Sequence, residues 1–223
     1  MIVLGLEGAL GGFSAALARD GKIVAARMVE GNVALEAGLG TLAALLDESE
    51  IESSRVDRLA VGIGPGGFTG LRITIAYAKS LAQAWERPLV PITSFDALEL
   101  GLDVPQILTV VVGRTGVVSV RFRRPGISRR ASGRVGAVLA DVLDGIAPGE
   151  LAVVGAPEDV SCALAEGGWT VKGLAPLVTP PAAAVALLGA GAPPAASLHE
   201  VRADYGELPA ATVPRFSPAP RRS

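Results

Sequence analysis

Glycine, proline, threonine and arginine crowd into one short stretch of this chain. Gly64, Pro65, Gly66 and Gly67 are followed at once by Phe68, Thr69, Gly70 and, two residues on, Arg72. Proline holds φ near −65° and glycine tolerates positive φ, so such a run can turn the backbone sharply. Equally, the free N–H groups at a helix start, with Thr69 as N-cap and Arg72 in the first turn, can hold an anion such as phosphate. No Gly-Lys-Ser/Thr follows and Lys79 sits well beyond the turn, so this is not a Walker A loop. A structural elbow and a phosphate cradle both stay open on spacing alone.

The remaining reactive side chains are few, and their scarcity excludes whole classes of chemistry. Cys162 is the single cysteine and His199 the single histidine. A disulfide within the chain, a thiolate metal cluster and every two-histidine zinc site are therefore ruled out, and no metal site is expected. Ser14, Ser94 and Ser119 lack the setting of a nucleophile elbow. Glu7 closes the apolar run 2–6, the one carboxylate placed to meet a ligand at a strand end. A lone carboxylate without phosphates to share the ion makes a poor Mg²⁺ site. Arg72 either binds phosphate, or ties the carbonyls of the glycine loop or pairs with a neighbouring acid.

The chain has 223 residues, half of them hydrophobic and 19% charged, with a net charge of −2. That length accommodates one or two domains of roughly 100–200 residues with a packed core. Acids outnumber bases up to residue 100 and the balance reverses after it. Arg114, Arg121, Arg123, Arg124, Arg129, Arg130 and Arg134 follow one another with no acid between Val104 and Ala140, forming a local basic patch. The first residues carry no basic leader, and residues 180–196 fall short of the roughly 20 apolar residues of a membrane span. A cytoplasmic protein with no membrane contact is expected.

Elements able to position these groups follow from hydrophobic periodicity. Residues 2–6 read as a strand. Residues 13–19 and 22–29 flank Asp20-Gly21, a hairpin signal, so the chain opens with a three-stranded meander. In residues 34–49 the spacing of Leu35, Leu39, Leu42 and Leu46 predicts a helix with that leucine stripe inward. A strand at 58–63, a helix at 71–85 with Ile73, Ala76, Tyr77, Ser80 and Ala84 on its core face, a strand at 88–92 and a helix from 94 complete the first hundred residues. Further on, strands at 107–112, 117–122 and 151–154 and helices at 133–143 and 182–188 are expected. More than half of the 16 prolines lie from Pro176 onward, which predicts a loop-rich tail. The order strand-strand-strand-helix-strand-helix-strand matches the ribonuclease-H-like core of the actin, Hsp70 and sugar-kinase group. The expectation is an α/β protein of two lobes: residues 1–100 as the N-terminal ribonuclease-H-like lobe, residues 101–223 as a smaller, divergent one of the same ancestry.

Residues 64–98 also carry a family resemblance. GPGGFTGLRITIAYAKSLA followed by PLVPITSFDAL resembles the signature of the TsaB (YeaZ) family, bacterial participants in making N6-threonylcarbamoyladenosine (t6A) at position 37 of tRNA. Gly64, Pro65, Gly66, Phe68, Thr69, Gly70, Leu71, Arg72, Ile73, Ala76, Ala78, Lys79, Leu81 and Ala82 match that pattern; Gly67, Thr74 and Ser80 depart from it by small substitutions. Elsewhere the likeness thins. Glu7-Gly8-Ala9 stands where the family has Asp-Thr-Ser, Asn32-Val33 where it has a His-Ser pair, and only Arg114, Gly116 and one valine survive from its Asp-Ala-Arg-x-Gly-Glu-Val-Tyr. Pro214-Arg215-Phe216 resembles its terminal Pro-x-Tyr segment.

The resemblance implies an actin-like (ASKHA) fold and an accessory, non-catalytic role without a cofactor. It implies a TsaD-type catalytic subunit as partner, engaged through helices of the N-terminal lobe, with Ala34, Gly38, Thr41, Ala76, Ser80 and Gln83 on the contact faces. A TsaE-type ATPase would be met through that pair, tRNA only indirectly, and the chain alone could form a homodimer. Glu7 and Arg72 would mark a vestigial nucleotide site, and the arginines from Arg114 to Arg134 lie either near tRNA phosphates or on an ordinary exposed strand face. The catalytic relative TsaD needs two histidines after the strand at 88–92, and residues 93–100 hold none. The alternative reading is a stand-alone ATP-binding transferase of the actin-like superfamily, with Glu7, Arg72 and the glycine loop around the phosphates.

Overall fold

The computed structural model describes residues 1–31, 37–113 and 116–206. Ala34, Leu35, Asn32, Val33, Arg114 and the 214–216 segment, singled out above, lie outside the described residues.

Two five-stranded sheets are built to one plan. In the first, β1 (Ile2–Glu7), β2 (Gly12–Arg19) and β3 (Lys22–Glu30) form the expected meander; α1 (Gly38–Ser49) leads to β4 (Arg58–Gly62), and α2 (Phe68–Trp85) to β5 (Leu89–Ile92). The strand order is β3-β2-β1-β4-β5, with β1, β4 and β5 parallel. In the second, β6 (Ile107–Val112), β7 (Val118–Arg124) and β8 (Ile127–Gly133) again form a meander, followed by α4 (Val135–Val142), β9 (Glu150–Val154), α5 (Glu158–Glu166) and β10 (Thr170–Leu174). Its order, β10-β9-β6-β7-β8, repeats the first. The sequence shows no repeat because the two halves preserve topology and not side chains. Strand β8, helix α5 and strand β10 escape periodicity: β8 has adjacent arginines among small residues and a single large apolar one, α5 is short and polar, and β10 is an edge strand interrupted by Gly173.

The last helix of each half crosses to the other. Helix α3 (Ser94–Glu99), capped by the Thr93 hydroxyl accepting from the Asp96 N–H at 3.1 Å, packs on β6. Helix α6 (Pro181–Gly191) returns to lie on β1, β2 and β4, so this late segment packs with the first hundred residues. Apolar on every side, α6 is embedded, as such helices must be. Close approach needs missing side chains: a Cβ on Gly5 would lie 2.4 Å from the Ala182 carbonyl oxygen, and one on Gly189 2.4 Å from the Ala60 Cβ. Arg58 donates to the carbonyls of Gly189 and Ala192, satisfying acceptors that end the helix.

Helix α1 is rotated relative to the leucine stripe. Gly38, Thr41, Leu42 and Leu45 face inward and Leu39 outward, 52% exposed. The cause is the Tyr77 ring, set edge-on to Phe13 and pressed against Gly38 where no side chain intervenes. Likewise α2 buries Leu71, Thr74, Ile75, Ala78 and Ala82, leaving Ala76, Ser80 and Ala84 exposed.

Three arginines of the basic patch, Arg121, Arg123 and Arg130, are paired with carboxylates distant in sequence. Glu99, buried on α3, accepts from Arg121 Nε at 2.9 Å, Arg123 Nε at 2.6 Å and the Thr109 hydroxyl at 2.5 Å. Asp96 adds a 2.7 Å contact to Arg121, whose guanidinium also lies over the Phe95 ring. Arg130 pairs with Asp204 at 2.7 Å, and Arg129 donates to the Asp144 carbonyl. These acids come from α3 and from beyond β10, which is why the run 104–140 looked unopposed. Removing Glu99 would leave Arg123 with no carboxylate, Arg121 with Asp96 alone and the buried Thr109 hydroxyl without its acceptor. Glu99→Ala should therefore lower the unfolding free energy by about 3 kcal/mol, read by urea denaturation. An unchanged midpoint would show that the cluster does not hold the lobes.

Candidate functional site

The glycine run folds as an elbow between β4 and α2. Gly64 has φ +96°, and a Cβ there would lie 2.3 Å from the Asp204 carbonyl oxygen and 2.9 Å from Leu71. A Cβ on Gly66 would lie 2.4 Å from the Ala9 carbonyl oxygen, which also accepts the Gly67 N–H at 2.8 Å. The Gly64 carbonyl accepts the Ser94 N–H at 2.7 Å. Three separate segments, the turn after β1, the start of α3 and the stretch at 204, thus close on the elbow with backbone against backbone. The first of the two readings, a structural turn, describes this geometry. Thr69 is not the N-cap: Gly67 takes that position, without a side-chain cap, and Thr69 sits exposed within the first turn.

Glu7 faces inward. Its carboxylate, 1% exposed, accepts the Ala9 N–H at 2.8 Å and the Leu10 N–H at 3.1 Å, and its stem lies against Gly62. Both oxygens thus fasten the chain that follows β1. Burial pushes this carboxyl up to about 7 from an ordinary 4.5, opposed by the N–H groups of Ala9, Leu10 and Gly8, which favour the ionised form.

Arg72 lies elsewhere, exposed on the outer side of α2 with its guanidinium 5.2 Å from the centre of the Phe68 ring. Phe68, 52% exposed, in turn meets the Tyr205 ring at 4.9 Å. Phe68, Thr69, Arg72, Ile73 and Ala76 line an open groove of about 340 Å³. Of the two residues expected to mark a nucleotide site, Glu7 is thus buried against its own backbone and Arg72 is exposed beside Phe68. Of the expected contact residues, Ala76, Ser80 and Gln83 are exposed along α2, whereas Gly38 and Thr41 are buried in the chain's own core, the Thr41 hydroxyl donating to the Ala37 carbonyl. Cys162 is exposed on α5, not in the core as a small apolar residue would be. Sequence reasoning missed Asp204, Tyr205 and Thr93, which act through contacts that no local spacing announces. Among the described residues no helix is long and apolar enough to cross a membrane, and no group of three His, Cys, Asp or Glu side chains could hold a metal ion.

This plan, two mixed sheets that exchange their last helices around an elbow, is that of the actin-like fold. A family model described as "TsaD: tRNA N6-adenosine threonylcarbamoyltransferase" matches residues 35–173, and the chain belongs to that family. Its fold is that of YeaZ from Pseudomonas aeruginosa, with a TM-score of 0.69 over 92% of this chain and 100% of that one at 20% identity. Among curated relatives, a tRNA N6-adenosine threonylcarbamoyltransferase of Thermomicrobium roseum is 31% identical over 113 residues, 43% of this chain and 31% of that protein. The tRNA threonylcarbamoyladenosine biosynthesis protein TsaB of Haemophilus influenzae is 39% identical over 54 residues, 24% of this chain and 23% of its own. The chain spans less than half the length of these curated relatives. The resemblance to TsaB (YeaZ) holds in sequence and in fold.

The buried carboxyl gives a test. Unfolded, Glu7 releases its proton near 4.5; folded, near 7; between these values the folded state binds more protons, so stability falls as pH rises through that window. The difference approaches roughly 3 kcal/mol above the upper value. Glu7→Gln should flatten this slope when denaturation is compared at about pH 5 and about pH 8. An identical slope in both proteins would contradict a buried, proton-holding Glu7.

Proposed function

We propose that this chain is a TsaB-like subunit of t6A synthesis that performs no chemistry itself and binds a TsaD-type enzyme through the outer face of α2. The observation that carries this reading is the exposure of Ala76, Ser80 and Gln83 on one side of the helix raised by the family motif. Small side chains at helical spacing admit a second helix at close range, and the Phe68–Arg72 pair at the end of the same face supplies the aromatic and arginine contacts that dominate interface energies. The elbow supports it too: its glycines pack against their own chain, and Glu7 turns its oxygens inward. Residues 64–82 then serve to hold α2 rigidly.

In this reading the pair of subunits, and not this chain alone, engages a TsaE-type ATPase and tRNA. Arg124, Arg129 and Arg134, for which no ion pair forms among the described residues, are the members of the basic patch left for nucleic acid. Helix-on-helix burial would fix the catalytic subunit in its active arrangement, with affinity set by complementarity more than by area. The experiment is co-purification with the TsaD homologue of the same cell, together with rescue of t6A in cells depleted of TsaB. Ala76→Arg and Ser80→Arg should each weaken capture at least about tenfold while leaving thermal stability within about 2 °C, because both positions are exposed. Undiminished capture would remove α2 from the interface; absence of both capture and rescue would remove the proposed role.

A further inference from the structure

The segment 201–206 runs between the two sheets and touches both. Val201 is buried in the first core, with Ala203 and Tyr205 packed against it. The Asp204 N–H donates to the Ile63 carbonyl at 2.7 Å, tying the segment to the end of β4. Its carboxylate reaches the other way: Oδ2 pairs with Arg130 on β8 at 2.7 Å, while Oδ1 accepts the Gly206 N–H at 2.9 Å. Gly206 is wedged against β7 and β8, where a Cβ would lie 2.2 Å from the Ser119 hydroxyl, 2.8 Å from that of Ser132 and 3.4 Å from the Pro65 Cβ. Those two hydroxyls are themselves paired at 2.8 Å. Tyr205, between the two anchor points, lays its ring on Phe68, which carries Arg72 on the outer face of α2.

We infer that residues 201–206 act as a strap that couples the outer face of α2 to the second sheet, so that whatever settles on Phe68 and Arg72 alters the hold on β8. One side chain, Tyr205, reports on the α2 face, and its two neighbours grip β7 and β8. Displacing Phe68 removes the support of the Tyr205 ring and with it the placement of Asp204 and Gly206. Coupling between sites is reciprocal, so loosening β8 would also change the Phe68 face. The inference rests on the partner reading only for what would sit on that face; the strap itself is a property of the isolated chain.

The test is amide hydrogen exchange on the purified chain alone, followed across residues 127–133. Phe68→Ala and Tyr205→Ala should each speed exchange there at least about fivefold, and the double variant no more than either, since both break one connection. Tyr205→Phe, which keeps the ring, should exchange as the parent does, as should Lys172→Ala on the far edge of the second sheet. Asp204→Asn, which cuts the grip on Arg130, should reproduce the Tyr205→Ala pattern. Unchanged exchange in Phe68→Ala, or additive effects in the double variant, would overturn the strap. Because no partner is present, failure of TsaD capture leaves this readout intact.

Discussion

At Gly64 a Cβ would lie 2.3 Å from the Asp204 carbonyl oxygen, and at Gly66 another would lie 2.4 Å from that of Ala9. Most of the architecture depends on this closeness. Backbone can touch backbone only where side chains are absent and the polar groups find partners. Here the Gly67 N–H meets the Ala9 carbonyl, the Ser94 N–H meets the Gly64 carbonyl and the Asp204 N–H meets the Ile63 carbonyl. The turn after β1, the start of α3 and the strap are thereby fixed to one elbow. Helix α2 leaves that elbow in a single direction, which sets what its outer face presents.

A second constraint joins the halves. Glu99 gathers Arg121, Arg123 and Thr109, and Asp96 holds Arg121 from the same helix. In the buried setting of α3 these charges satisfy one another, so the second sheet meets α3 through paired ions, while the apolar α6, which follows β10 in the chain, lies on the first sheet. Of the arginines left open between tRNA phosphates and an exposed strand face, Arg121, Arg123 and Arg130 are fasteners whose acidic partners lie in segments tens of residues away.

The first sheet was legible because its signals are local. The apolar run 2–6, the Asp20-Gly21 hairpin and the motif at 64–82 each specify an element within a few residues. The orientation of α1 was not legible: leucine spacing pointed Leu39 inward, but the Tyr77 ring occupies the space at Gly38 and turns the helix. The second sheet was half legible, since Ile107–Val112 is strongly apolar whereas β8 carries its pattern on arginine, serine and alanine. Of the candidate site, the glycine elbow could be read, whereas periodicity turned Ala76, Ser80 and Ala84 inward and only the family resemblance marked Ala76, Ser80 and Gln83 as an outer face; the inward turn of Glu7 and the strap residues could not be read. Those depend on which backbone N–H groups and distant strands surround a side chain, a property of the folded chain alone.

Everything turns on whether the elbow is closed by its own chain or opens to phosphate. Calorimetric titration of the isolated protein with Mg·ATP measures this most directly. A self-packed elbow should give no binding heat at millimolar nucleotide. Saturable binding that disappears in Glu7→Ala would contradict it and restore the elbow as a phosphate cradle.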